Sequence, residues 1–513
     1  MNKQWRMIII SGAVLVALAV VWLISTLVGG GSDTETTTTA TVQAVFASPA
    51  AEISRIDVSN ETGEYVLLPL QTTDDAGAAK IAWRVEGMEK YDFSADRLDQ
   101  IGSAAVSLPA IEEIAANTTD LEQYGLKDAL ATLTVTLKSG ARHVIKIGKE
   151  LPSGRGTYAT LDDTGRVCSI ASDVSEGAAY SLLDLLDNTT VIGSIKAEDV
   201  TRLTFERSRD SLRMTVNSIV TTSVNEDGEA QSSIEYKMID PLEVTGNSFT
   251  MATIFNEPIA IKASEFIEME PKDLTKYGLD KPQYTYTFAT SQGGVVLKVG
   301  KQSDSKHYYA ISDAMPVVFT FSSDLLTTAD TKLITLISRS ISPYSIFDVG
   351  QIEADLFGTS FVTGISLEKG KNVHDDVTIL TLDGLDAKIV DQSGNSLYIG
   401  FFSKLSGIMA TGVDVEANPV NTREGRLTYQ VEADTENNVP AFTKVIEFAR
   451  RDDYTYYVFT DGEYSGLYVD GETAFTSENK GNEGIILAYR QMKYAIEHAV
   501  DGVFNTEEGY QLN

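Results

Sequence analysis

Short runs of alternating apolar and polar residues recur along most of the chain. Leu133, Val135 and Leu137 alternate with Thr132, Thr134 and Thr136, and Ile53, Arg55 and Asp57 with Ser54, Ile56 and Val58. A period of two over such runs predicts half-buried β-strands. Between these two runs, Leu98, Ile101, Ala105, Leu108, Ile111 and Ile114 fall largely at three- and four-residue steps. That spacing predicts helix over Ser94–Ala116, with Pro109 kinking or dividing it. Gly484–Val500 carries Ile485, Leu487, Tyr489, Met492, Ile496 and Val500. It reads as an amphipathic helix, packed on the last module or docked on a membrane partner.

One run obeys neither period. Met7–Val28 is 22 residues without a charge, enough at ~1.5 Å per residue to cross a hydrocarbon core of ~30 Å. The apolar core of a cleavable signal peptide is shorter, about 7–15 residues, so an uncleaved anchor is expected. Lys3 and Arg6 precede the run, and Asp33 and Glu35 follow it. The positive-inside rule then leaves residues 1–6 as a cytoplasmic stub and 7–28 as a single transmembrane helix, with the rest extracellular at the cell membrane. Residues 29–45, with Gly29–Ser32 and Thr36–Thr39, read as a flexible polar linker.

The strand pattern repeats. Asp120-Leu121-Glu122-Gln123-Tyr124-Gly125-Leu126 returns as Asp273-Leu274-Thr275-Lys276-Tyr277-Gly278-Leu279. Downstream of both come a Thr-rich strand, then HVIKIGK (143–149) or VVLKVGK (295–301), then a Tyr-Ala strand and a further apolar strand. Upstream, Glu52–Val58 matches Asp199–Phe205, and Trp83-Arg84-Val85 matches Tyr236-Lys237-Met238. Self-similarity at a fixed period is the signature of a repeat architecture. It predicts module 1 at 46–193 and module 2 at 194–345. A divergent module 3 is expected at 346–513, opening on Gly364–Leu367, with Lys388-Ile389-Val390 standing for the Trp83 strand. RLTYQVE (426–432), KVIEFA (444–449), YTYYVFT (454–460) and SGLYV (465–469) supply its four-strand run, without a Tyr-Gly-Leu element. The expected class is α+β: tandem antiparallel-sheet modules with packed helices, after one N-terminal transmembrane helix. The repeat signature residues are Trp83, Tyr124, Gly125, Leu126, Tyr277, Gly278 and Leu279, with each Gly taking positive φ after its Tyr.

This order of elements (an Ile-x-x-Ile/Leu strand, a Trp-x-Val strand, a helix, Tyr-Gly-Leu, an Ile-Gly-Lys strand and a Tyr-Ala strand) resembles the bacterial domain-of-unknown-function family 4340. The family's proline after Tyr-Gly-Leu is supplied by Pro282 and is missing from the first copy. The resemblance implies one N-terminal transmembrane helix and an extracytoplasmic domain. It also implies an accessory role beside ABC transporter components of the gliding-motility type. It carries over no catalytic residue.

Charge and chemistry narrow this further. There are 41 basic and 73 acidic residues, for a net charge of −32. Such a surface repels nucleic acid and anionic headgroups, so no nucleic-acid partner is expected. The single Cys168 permits no internal disulfide and sits in an apolar strand as a structural thiol. His143, His307, His374 and His498 lack metal-ligand spacing, and no metal or cofactor is expected. No Gly-x-Ser-x-Gly or phosphate loop occurs. Ser303-Asp304-Ser305-Lys306 reads as a hairpin loop. Asp162–Gly165 and Asn225–Glu229 are acidic turns without EF-hand spacing.

The expected function is therefore non-enzymatic. It is a membrane-anchored binding or scaffold protein whose partner is a membrane complex, possibly ABC transporter subunits. The alternatives are a cell-wall or glycan hydrolase using paired carboxylates and a surface adhesin or stalk.

Overall fold

The computed structural model describes residues 43–73, 77–224, 230–368, 377–420, 422–434, 439–479 and 481–512. The expected transmembrane helix at 7–28 and most of the linker lie outside these residues. Among the described residues, no helix is long and apolar enough to cross a membrane.

Three antiparallel sheets dominate, and they share one topology. Each has eight main strands in the spatial order third, second, first, fifth, sixth, seventh, eighth, fourth. In the second and third sheets a two-residue strand, Val244–Thr245 or Leu385–Asp386, lies beside the third strand. The first strands are Ile53–Asn60, Val200–Arg207 and Val349–Leu356. A helix between the third and fourth strands covers one face: Ala95–Val106, Ser248–Ile259 and Leu397–Ser406. Leu98, Ile101 and Ala105 are buried in the first helix, Met251, Ile254 and Phe255 in the second, and Tyr398, Phe401 and Leu405 in the third. The shared three- and four-residue steps set each apolar stripe on its sheet.

Each first strand carries the same bulge, at Ile53/Arg55, Val200/Arg202 and Val349/Gln351. One extra residue flips the inward face. Hence Ile53 is buried together with Ile56 and Val58, where strict alternation from Ile53 would have pointed Ile56 outward.

Two expectations need correction. The first helix ends at Val106, and Ser107–Leu108 and Glu112–Ala115 are strands instead of more helix. Pro109 cannot donate to a helix, and Glu112–Ala115 finds ladder partners in Val167–Ser169. In the third sheet, Gly364–Leu367 belongs to the second strand, Thr359–Glu368, and not the first. The third strand is Val377–Leu382. Val390–Asp391 pairs in parallel with Val503–Phe504 instead of standing for the Trp83 strand.

Packing divides the chain into two compact units. Among the described residues, the first holds those up to Trp83 together with Asp99–Ala179, and the second holds Arg84–Leu98 and those from Tyr180 onward. Within the second unit, Leu242, just after the second sheet's third strand, is buried against Gly466 of the third sheet. The C-terminal helix Ile485–His498 packs on the helix Leu397–Ser406 and stacks Tyr489 on Phe361.

Tyr286, on the fifth strand of the second sheet, is fully buried, and its hydroxyl has no hydrogen-bond partner among the described residues. The other two sheets carry Leu133 and Leu427 on the corresponding strand. A buried hydroxyl without a partner costs about 1–3 kcal/mol of desolvation. Tyr286→Phe is therefore expected to stabilise the second unit by about 1 kcal/mol, read as an upward shift of its unfolding midpoint in urea. A downward shift would show that the hydroxyl is satisfied.

Candidate functional site

The two Tyr-Gly-Leu elements are superimposable turns laid across a strand. Gly125 N–H donates to Glu122 O at 3.0 Å and Leu126 N–H to Leu121 O at 3.1 Å. Gly278 and Leu279 repeat both bonds, to Thr275 O and Leu274 O, at the same distances. Gly125 and Gly278 sit at φ +67° and +68°, a region costly for any residue with a Cβ. Tyr124 packs on Tyr158 and Tyr277 on Tyr309, each with ring centroids 5.0 Å apart. Leu126 and Leu279 are buried.

Beneath each turn lies a second required glycine. A Cβ at Gly148 or Gly300 would fall well inside contact distance of Tyr124 O or Tyr277 O. The third sheet has Ala449 at this place and no Tyr-Gly-Leu turn. The turn and its glycine are present or absent together.

A second recurring device was not anticipated from the sequence. Asp162, Asp313 and Asp461 each follow the seventh strand, and each carboxylate accepts the N–H of a valine entering the sixth: Val144, Val296 and Val445. The signal was a repeated Asp after the Tyr-Ala strand. Asp162 also meets His143 Nδ1 at 3.0 Å, and Asp163 holds Lys146 at 2.8 Å. This acidic turn therefore directs its carboxylates to its own chain; Asn225–Glu229 lies outside the described residues. Asp304 accepts the N–H groups of Lys306 and His307 in the hairpin at Ser303–Lys306. His498 stacks on Tyr494, and His374 lies outside the described residues. Among the described residues, no three His, Cys, Asp or Glu side chains gather to hold a metal ion. Cys168 is buried, and desolvation pushes its thiol pKa up. Trp83 is 7% exposed and lies over Gly102 of the helix.

The second unit contains two copies of a connecting segment. Leu185 O accepts from Ser94 N, Asp187 N donates to Asp92 O, and Asn188 O accepts from Ala263 N. In the second copy, Leu336 O accepts from Asn247 N, Ser338 N donates to Thr245 O, and Arg339 O accepts from Ala410 N. Beside this second segment runs a cleft of about 630 Å³, lined by Ser338, Arg339, Ser340, Met409 and Thr411 among others. A neighbouring concavity of about 550 Å³ shares Arg339, Met409 and Thr411 and adds Lys404, Asp470 and Glu483.

Comparison with known proteins adds a family. A domain of unknown function, DUF4340, matches residues 83–242 and again 237–388. Each match begins at the third strand of one sheet and ends at or shortly after the third strand of the next, so the family unit is the structural repeat in a shifted phase. No curated protein and no solved structure matches the chain. With two adjoining matches spanning more than half of its residues, the chain belongs to the DUF4340 family.

Proposed function

We propose that the chain is a membrane-anchored, extracytoplasmic binding or scaffold protein, accessory to an ABC-type exporter or another envelope complex. The observation that carries this reading is what recurs among the sheets. The turn over its glycine, the aspartate after the seventh strand that accepts a valine N–H of the sixth, and the backbone junction are all devices that fix shape. Duplicating a surface multiplies contacts with a partner, whereas a reaction needs one site. The uncharged run Met7–Val28, with Lys3 and Arg6 ahead of it, supports the anchor and its direction. A tether of this kind raises the local concentration of the modules beside a membrane complex.

Two measurements test this. Protease added to intact protoplasts should degrade everything beyond the anchor, and full protection would refute the outward orientation. Crosslinking in cells followed by pull-down of the full-length chain should recover integral membrane proteins, ABC transporter subunits first. Recovery of no membrane protein, or turnover of peptidoglycan or glycan abolished by replacing a carboxylate pair, would overturn the reading.

A further inference from the structure

The two connecting segments provide an internal comparison. Asn188 and Arg339 occupy the same place and make the same bond: Asn188 Nδ2 donates to Ala263 O at 3.3 Å, and Arg339 Nε to Ala410 O at 2.8 Å. One side-chain N–H thus serves the junction, and the arginine brings four more together with a full positive charge.

The chain makes the same exchange elsewhere, and there the surplus is consumed. Asn60 Nδ2 donates to Ala178 O, and Arg207, at the matching strand end, donates to Ala329 O. Arg207 spends three of its other four N–H groups on Thr331 O and on both oxygens of Asp210. Arg339 has no carboxylate partner among the described residues, and its side chain stands exposed between the two concavities.

The acids nearby are already engaged. Asp470 accepts Thr473 N–H at 2.7 Å. Glu483 accepts Gly481 N–H at 2.8 Å and pairs with Lys404 at 3.6 Å. Ser338 and Ser340 line the same cleft, and their hydroxyls have no partner among the described residues. Met409, 47% exposed, adds an apolar wall.

We propose that this cleft binds a carboxylate carried on an apolar group, the C-terminal carboxylate of a peptide being the simplest case. The terminal N–H groups of Arg339 receive it. A planar guanidinium fork matches the two oxygens of a carboxylate. A doubly charged phosphate is disfavoured by Asp470, Glu483 and the chain's net charge of −32. The site does not depend on the anchor or on an exporter partner.

The test uses the full-length chain in detergent, labelled with methyl-13C methionine, and titrated with acetyl-Gly-Gly-Leu. The Met409 methyl signal should shift saturably, with a dissociation constant in the millimolar range expected of one partly exposed charge pair. The C-terminal amide of the same peptide should bind at least about tenfold more weakly, a gap of about 1.4 kcal/mol, and inorganic phosphate should not compete. Arg339→Asn, which keeps the junction bond as Asn188 does, should lose the same factor with its melting curve unchanged. If that variant unfolds, Arg339→Lys replaces it: it keeps the charge without the fork and should still bind more weakly than wild type. Equal binding of acid and amide, an unchanged affinity in the folded variant, or no Met409 shift would each overturn the proposal.

Discussion

Alanine at Gly300 is expected to destabilise the second sheet by about 3 kcal/mol, the upper end of the range for overpacking. The added Cβ would be driven into Tyr277 O, a backbone atom that cannot swing aside. Relief would require lifting the whole turn, which strips Leu279 from its buried site and parts Tyr277 from Tyr309. Hydrogen exchange can localise the effect: amides of Gly293–Gln302 and Tyr284–Thr290 should exchange faster, while those of the third sheet keep their rates. The third copy supplies the control. Ala449→Gly adds backbone freedom with no turn overhead, and should cost only about 0.5–1 kcal/mol. Wild-type exchange in Gly300→Ala would mean that the turn does not lie on the strand.

The same pair of features explains what the sequence made legible. Tyr-Gly-Leu stands out because two glycines and two packed side chains are needed at fixed places: Gly125 for its positive φ and Gly148 for close approach. The Trp83/Tyr236 match follows from strands that hold an aromatic ring over a helix; Tyr236 packs on Phe255 at 4.9 Å. The third copy has neither the turn nor its glycine, so nothing in the sequence fixes its register, and its opening strands lie one element earlier than the spacing predicts.

Other features left no trace in periodicity. Ile111 and Ile114 keep a helical step, yet Ile111 is exposed and Ile114 lies in an edge strand, because sheet pairing to Val167–Ser169 overrides local spacing. The bulge in each first strand shifts the inward face without any marker residue. The connecting segments are made by backbone groups, and any sequence can supply those. Arg339 therefore gave no signal in the chain; it stands out only when the two junctions are laid side by side.

Trp83→Ala should be the most costly substitution in the first unit, at about 3–5 kcal/mol. The indole is 7% exposed on the third strand, and it occupies the space that Gly102 leaves on the helix. Truncation removes the largest side chain at that contact and opens a cavity that Gly102 cannot fill, since it has no side chain to relax into it. The reciprocal change makes the argument specific. Gly102→Ala would place a Cβ inside the indole ring and should also destabilise the unit, whereas adding it to Trp83→Ala should recover part of the loss by filling the void. Such opposite signs in single and double variants are the mark of direct contact. Urea unfolding of the full-length chain in detergent, followed by exchange at Ile53–Asn60, would measure all three. If the losses of the two single variants simply add, the indole does not rest on the helix, and the first sheet is held by something other than this pair.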